Sequence, residues 1–159
     1  MVTVLAGWMI TVGAVVLTAA AGPVRVEHVE GHLRLDASLP YAVYGPGQPV
    51  EVALRVRNAG SGPVSITFTS GQHFDLVVRR PRGDEVWRWS HDKAFIQVFE
   101  TVTLKPGDVL TYQMTWDQED YQGRRVDSGS YQAIAVFTGH VGTRRDIKLP
   151  PLEVTIGAQ

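Results

Sequence analysis

From Val24 onward the apolar residues of this chain recur at every second position, a period that builds strands and not amphipathic helices. Val50, Val52, Leu54 and Val56 alternate with Glu51, Ala53, Arg55 and Arg57. Val64, Ile66 and Phe68 repeat the pattern, as do Phe74, Leu76 and Val78. So do Leu110, Tyr112, Met114 and Trp116, and finally Leu152, Val154 and Ile156. Each such run offers one face to a core and the other to water. The run from Tyr131 to Phe137 is apolar on both faces apart from Gln132, which suits a central strand. Turn residues separate the runs: Gly45-Pro46-Gly47, Asn58 to Pro63, Pro81 to Asp84, Lys105 to Asp108 and Ser128-Gly129. The expected fold is all-β, an immunoglobulin-like antiparallel β-sandwich of about seven or eight strands.

Length and composition narrow the class further. A chain of 159 residues fits one domain and can bury a core without covalent staples. It has to, because it holds no cysteine, which removes disulfides, thiol nucleophiles and thiolate metal sites. With 15 basic and 16 acidic residues the net charge is −1, which gives no general pull toward nucleic acid or an anionic membrane.

Composition breaks once. Residues 1–21 carry no charged side chain and end Ala19-Ala20-Ala21, the small-residue pattern that a signal peptidase accepts. The same length could span a bilayer as a helix. The expected organisation is an apolar N-terminal helix, signal or anchor, over residues 1–21, and a β-sandwich domain over residues 22–159. Both readings place that domain outside the cytoplasm, touching the membrane only through residues 1–21 if these are kept.

The residues show no enzyme signature. There is no nucleophile elbow, P-loop or dinucleotide-binding glycine motif. His28 and His32 are four apart, but on a strand and turn they do not form a metal pair. Asp117, Glu119 and Asp120 lack the ligand spacing of a calcium loop. Arg82-Gly83-Asp84 reads as a hairpin turn. No catalytic residue, cofactor or metal is expected.

The block from Ser70 to Gln97 is the unusual part. Phe74 to Arg79 and Glu85 to Trp89 should pair as a hairpin, with Trp87 and Trp89 on one face and Arg88 on the other. Such a pair is either a packing anchor at the end of the sandwich or a binding surface, since tryptophan and arginine are enriched at binding hot spots. Burial falls toward a strand's end, so Trp87 is expected in the core and Trp89 partly exposed. Asp127-x-Gly129-x-Tyr131 resembles a tyrosine corner, with an ordinary strand-start tyrosine as the alternative.

Ser70-Gly71-Gln72, Phe74-Asp75, Trp87-Arg88-Trp89-Ser90 and Phe95 together resemble the BsuPI family of proteinase inhibitors. Leu104-x-Pro106-Gly107, Trp116 and Gly129-x-Tyr131 continue the resemblance in the same order. It implies an inhibitor of a subtilisin-like serine protease that works by placing a loop in the protease cleft. It carries no reactive-site residue onto this chain, and the motif residues themselves read as scaffold. The family's founding member acts inside the cell, whereas this chain begins with an export-like segment. Candidate contact residues come from the loops: Trp89, Ser90, His91, Asp92 and Lys93 in one, and Asp117, Glu119, Asp120, Arg124 and Arg125 in another. A third loop runs from Gly139 to Arg144. The alternative function is a non-inhibitory structural or assembly module of the cell envelope. Either way the partner is a protein.

Overall fold

A computed structural model describes residues 22–158. Twelve strands occur among them: β1 (Val24–Glu30), β2 (Leu33–Leu39), β3 (Val43–Tyr44), β4 (Val50–Asn58), β5 (Val64–Phe68), β6 (Phe74–Arg79), β7 (Glu85–Arg88), β8 (Glu100–Leu104), β9 (Val109–Trp116), β10 (Gly129–Phe137), β11 (Ile147–Lys148) and β12 (Leu152–Ile156). One sheet runs β1-β2-β4-β9, and the second runs β3-β12-β10-β6-β7 with β11 beside β10. A third, short sheet pairs β5 with β8. Nearly all pairing is antiparallel; β3 alone lies parallel to its neighbour β12 among the described residues.

The alternation read from the sequence produces the core directly. Val50, Val52, Leu54 and Val56 of β4 are all buried while Glu51, Arg55 and Arg57 face water. Trp116 of β9 meets Tyr131 of β10 at 5.4 Å between ring centroids, and Tyr112 of β9 meets Phe137 of β10 at 6.4 Å. These contacts join the two larger sheets face to face over one apolar cluster, to which β5 and β8 add Ile66, Phe68 and Leu104. β10 lies between β12 and β6.

Three expectations need correction. The apolar N-terminal helix does not stand: the described residues hold no helix, and residues 1–21, on which it fell, lie outside them. Apolar length alone carried that expectation, with neither a 3.6-residue period nor a cap to support it. The strand count exceeds seven or eight, because two-residue strands and the polar-rich β8 give little periodic signal. Trp87 is half-buried like Trp89, since β7 is the edge strand of its sheet and covers the core from one side only.

Candidate protein-binding loop

The Phe74-Asp75 and Trp87 to Ser90 motifs meet at one carboxylate. Asp75 lies on β6, almost fully buried, opposite the end of β7. Its Oδ2 accepts from Ser90 Oγ at 2.7 Å and from Arg88 Nη1 at 3.1 Å. Its Oδ1 accepts the backbone N–H of Ser90 at 3.1 Å and of Leu76 at 2.9 Å. Arg88 also grips Glu85 through Nε and Nη2, and this pair holds the Glu85 carboxyl below its ordinary value. A buried carboxylate needs such partners to offset its desolvation. Here they fix the point at which β7 stops and the chain turns outward through His91 N–H to Arg88 and Lys93 N–H to Ser90.

Beyond that turn, residues 93–99 belong to no strand or helix. Trp89 packs on Phe74 at 4.6 Å and on Phe95 at 6.0 Å, which closes the base of the loop. Gly71 donates its N–H to the Ile96 carbonyl at 2.9 Å. A Cβ on Gly71 would stand 3.2 Å from Ile96 Cγ1, so glycine permits this close approach. Ser70 Oγ accepts the Gln72 N–H, and the Gln72 side chain donates to the Phe74 carbonyl, so the Ser70-Gly71-Gln72 motif is the shelf under the loop. The chain then enters β8 at Glu100, whose carboxylate meets His73 Nε2 at 3.2 Å. Between these fixed points three apolar side chains face water: Ile96 at 73%, Val98 at 40% and Phe99 at 80% exposure.

The second candidate loop docks on the first. Tyr121 donates to Glu85 and lies 4.3 Å from the His91 ring. The loop is stiff in itself. Asp120 accepts the N–H groups of Gln122 and Arg124 and pairs with the Arg124 guanidinium, while Trp116 Nε1 donates to the Glu119 carbonyl. Gln118 anchors it to the turn at Gly45 to Gln48: fully buried, it donates to the carbonyls of Gly45 and Gln48 and accepts the Gly47 N–H. Arg125 lies against Gly47 of the same turn. The third loop stands apart from the second and lies beside the far end of the first. His140 pairs with Thr67 of β5, and His140, Arg145 and Phe99 share the wall of a groove of about 620 Å³.

The structure therefore joins the loop of Trp89, Ser90, His91, Asp92 and Lys93 to the loop of Asp117, Glu119, Asp120, Arg124 and Arg125 through the contact of His91 with Tyr121. Several of these are committed to internal contacts. Lys93 Nζ donates to the Trp89 carbonyl and to Asp92 and sits 4.6 Å over the Trp89 ring. Trp116, Pro106-Gly107 and Gly129-x-Tyr131 serve the scaffold. Gly107 holds φ +86 in a turn that donates its N–H to the Asn58 carbonyl, and Tyr131 donates its hydroxyl to the Asp127 carbonyl at 2.7 Å, the bond of a tyrosine corner. Sequence reasoning missed Ile96, Val98, Phe99 and Gln118. Ile96 and Val98 flank Gln97 with Phe99 directly after, a short apolar run that does not distinguish a covered strand from an exposed loop; the polar Gln118 carries no periodic signal.

The BsuPI family, described as intracellular proteinase inhibitor, matches residues 38–141. No curated protein matches the chain. Among solved structures, the sporulation control protein Spo0M from Bacillus subtilis is similar at 17% identity, over 82% of this chain and 51% of its own, with a TM-score of 0.48. A β-glucosidase from Erythrobacter marinus is similar at 20% identity, over 76% of this chain and 15% of its own, with a TM-score of 0.44. The DNA glycosylase AlkC from Pseudomonas fluorescens is similar at 12% identity, over 82% of this chain and 32% of its own, with a TM-score of 0.45. The chain thus spans about half the length of Spo0M and less of the others, and likenesses this distant carry no argument about function. The family's description overturns the extracytoplasmic placement expected from residues 1–21, because it names an intracellular inhibitor. Among the described residues no helix is long and apolar enough to cross a membrane.

Proposed function

The chain belongs to the BsuPI family of proteinase inhibitors, and from that premise we propose that residues 22–159 form one inhibitory domain that blocks a subtilisin-like serine protease by placing the loop of residues 89–99 in its cleft. The observation that carries this reading is the exposure of Ile96, Val98 and Phe99 on a segment held from beneath by Gly71 and His73. Contiguous apolar side chains left in water mark interaction sites more often than they serve the fold. A loop ordered before contact loses less conformational entropy when it binds, and that saving appears as affinity. The loop from Asp117 to Arg125 buttresses the base of this segment through Tyr121, which meets Glu85 and the His91 ring. The chemistry asked of the domain is occupancy of a cleft, with no bond made or broken by its own residues.

Titrating the full chain into a subtilisin while following hydrolysis of a peptide substrate tests the reading. The expected outcome is a stoichiometric loss of protease activity and a protease–inhibitor complex on size-exclusion chromatography. Unchanged hydrolysis at a large molar excess, with no complex eluting, would overturn it.

A further inference from the structure

Resting on the inhibitor reading, we infer that Phe99 is the side chain that sets specificity, and that the partner is a serine protease whose primary pocket takes a large apolar group. The basic residues near the loop are the natural rivals, since a lysine or arginine would suit a protease with an acidic pocket. Lys93, Arg124 and Arg125, the basic residues of the two candidate loops, are already engaged, while Arg145, across the groove from Phe99, belongs to a different loop. Lys93 spends its ammonium on the Trp89 carbonyl, on Asp92 and on the Trp89 ring. Arg124 is held by Asp120 and Gln122, and Arg125 lies against Gly47. Entering a pocket would require any of them to leave those partners.

Phe99 has nothing comparable to lose. It is 80% exposed and makes no aromatic contact among the described residues. An aromatic ring is the largest apolar area a loop can offer for few rotatable bonds, which is why such residues dominate binding energy. Its position is also the best defined on the exposed stretch. The next residue, Glu100, is already paired with Phe68 in the β5–β8 ladder and holds His73 through its carboxylate. Three residues upstream the backbone is fixed again at Ile96. Ile96 is nearly as exposed, but its Cγ1 sits close over Gly71, so part of its surface is spent on the shelf.

The test uses the full chain and two surface variants, Phe99→Ala and Phe99→Arg. Inhibition constants are measured against subtilisin, whose primary pocket is apolar, and trypsin, whose pocket is acidic, with sedimentation velocity on each variant. Wild type should inhibit subtilisin and leave trypsin active. Phe99→Ala should weaken subtilisin inhibition by about 30-fold or more, the effect of losing a hot-spot residue. Phe99→Arg should lose subtilisin and gain trypsin. Equal inhibition of subtilisin by wild type and Phe99→Ala would overturn the assignment while the inhibitor reading stands. A wild-type dimer that Phe99→Ala converts to monomer would overturn it too, by showing that a second copy covers the ring. Wild type that inhibits neither protease would bring down the inhibitor reading itself, and this inference with it.

Discussion

Asp75 and Ser90 lie 15 positions apart in the chain and share a 2.7 Å hydrogen bond from the serine hydroxyl to the carboxylate. That bond decides where β7 ends and in which direction the exposed loop leaves the sheet. A hydrogen bond to a charged group contributes about 1.5–3 kcal/mol, so Ser90→Ala should cost about that much in chemical denaturation. Asp75→Ala should cost about 3 kcal/mol or slightly more, because it takes one of the two carboxylates from Arg88 and removes the acceptor of the Ser90 N–H and hydroxyl at once. The double variant should cost less than the sum of the singles, as expected of residues in one network. Full additivity would show that the two groups act independently.

Two buried tyrosines make opposite predictions for the same substitution. Tyr131 donates to the Asp127 carbonyl, so Tyr131→Phe leaves an acceptor short and should destabilise by about 1–3 kcal/mol. The Tyr44 hydroxyl is buried with no hydrogen bond of ordinary geometry among the described residues, and only the Tyr41 backbone approaches it. Tyr44→Phe removes an unsatisfied polar atom and should leave stability unchanged or raise it by about 1 kcal/mol. Urea midpoints of the two variants, compared at equal m-value, give the answer.

Gln118 adopts a φ of +59° and satisfies three backbone groups of the turn from Gly45 to Gln48. Gln118→Leu keeps most of the volume but deprives all three, and burial without partners costs about 1–3 kcal/mol for each group so deprived. Substantial destabilisation is expected, with faster amide exchange at Gly47. If amide exchange at Gly47 and the melting temperature match wild type, Gln118 is not the anchor of this loop.

Glu85 gives a pH dependence with a definite sign. The Arg88 hydrogen bonds lower its carboxyl from the usual 4.5, against burial, which pushes it up, and the Tyr121 hydroxyl helps. A carboxyl depressed by folding stabilises the fold above its unfolded value and loses that effect as pH falls through its folded value. Wild type should therefore be more stable than Glu85→Gln at neutral pH, and the gap should close in acid below about 4. The gap should stay within about 1 kcal/mol, because the carboxylate still reaches water. A difference that persists unchanged at pH 3 would show that charge is not its origin.

Much of the fold was legible because β4, β9 and β12 keep strict alternation and bury one face each, while β10 is apolar on both faces and lies between two strands. β8 was not, since Glu100-Thr101-Val102-Thr103-Leu104 carries few apolar residues and takes its place from pairing with β5. The loops around Ser90 and Asp120 were legible as loops, but their meeting through His91 and Tyr121 is a tertiary fact with no local signature. Ile96, Val98 and Phe99 show the limit most clearly. Apolar residues are usually inside; whether these are covered depends on a partner strand, and none of the described strands pairs with them.

The hydrogen bond from Gly71 to Ile96 has a consequence for what a protease could accomplish at this loop. A cut between Ile96 and Glu100 would leave the upstream end tied to Gly71 and the downstream end held in the β5–β8 ladder. The new amine and carboxyl would stay neighbours, at an effective concentration on the order of millimolar or above. Resealing the bond would then compete with release, so hydrolysis here would be a reversible step and not an exit.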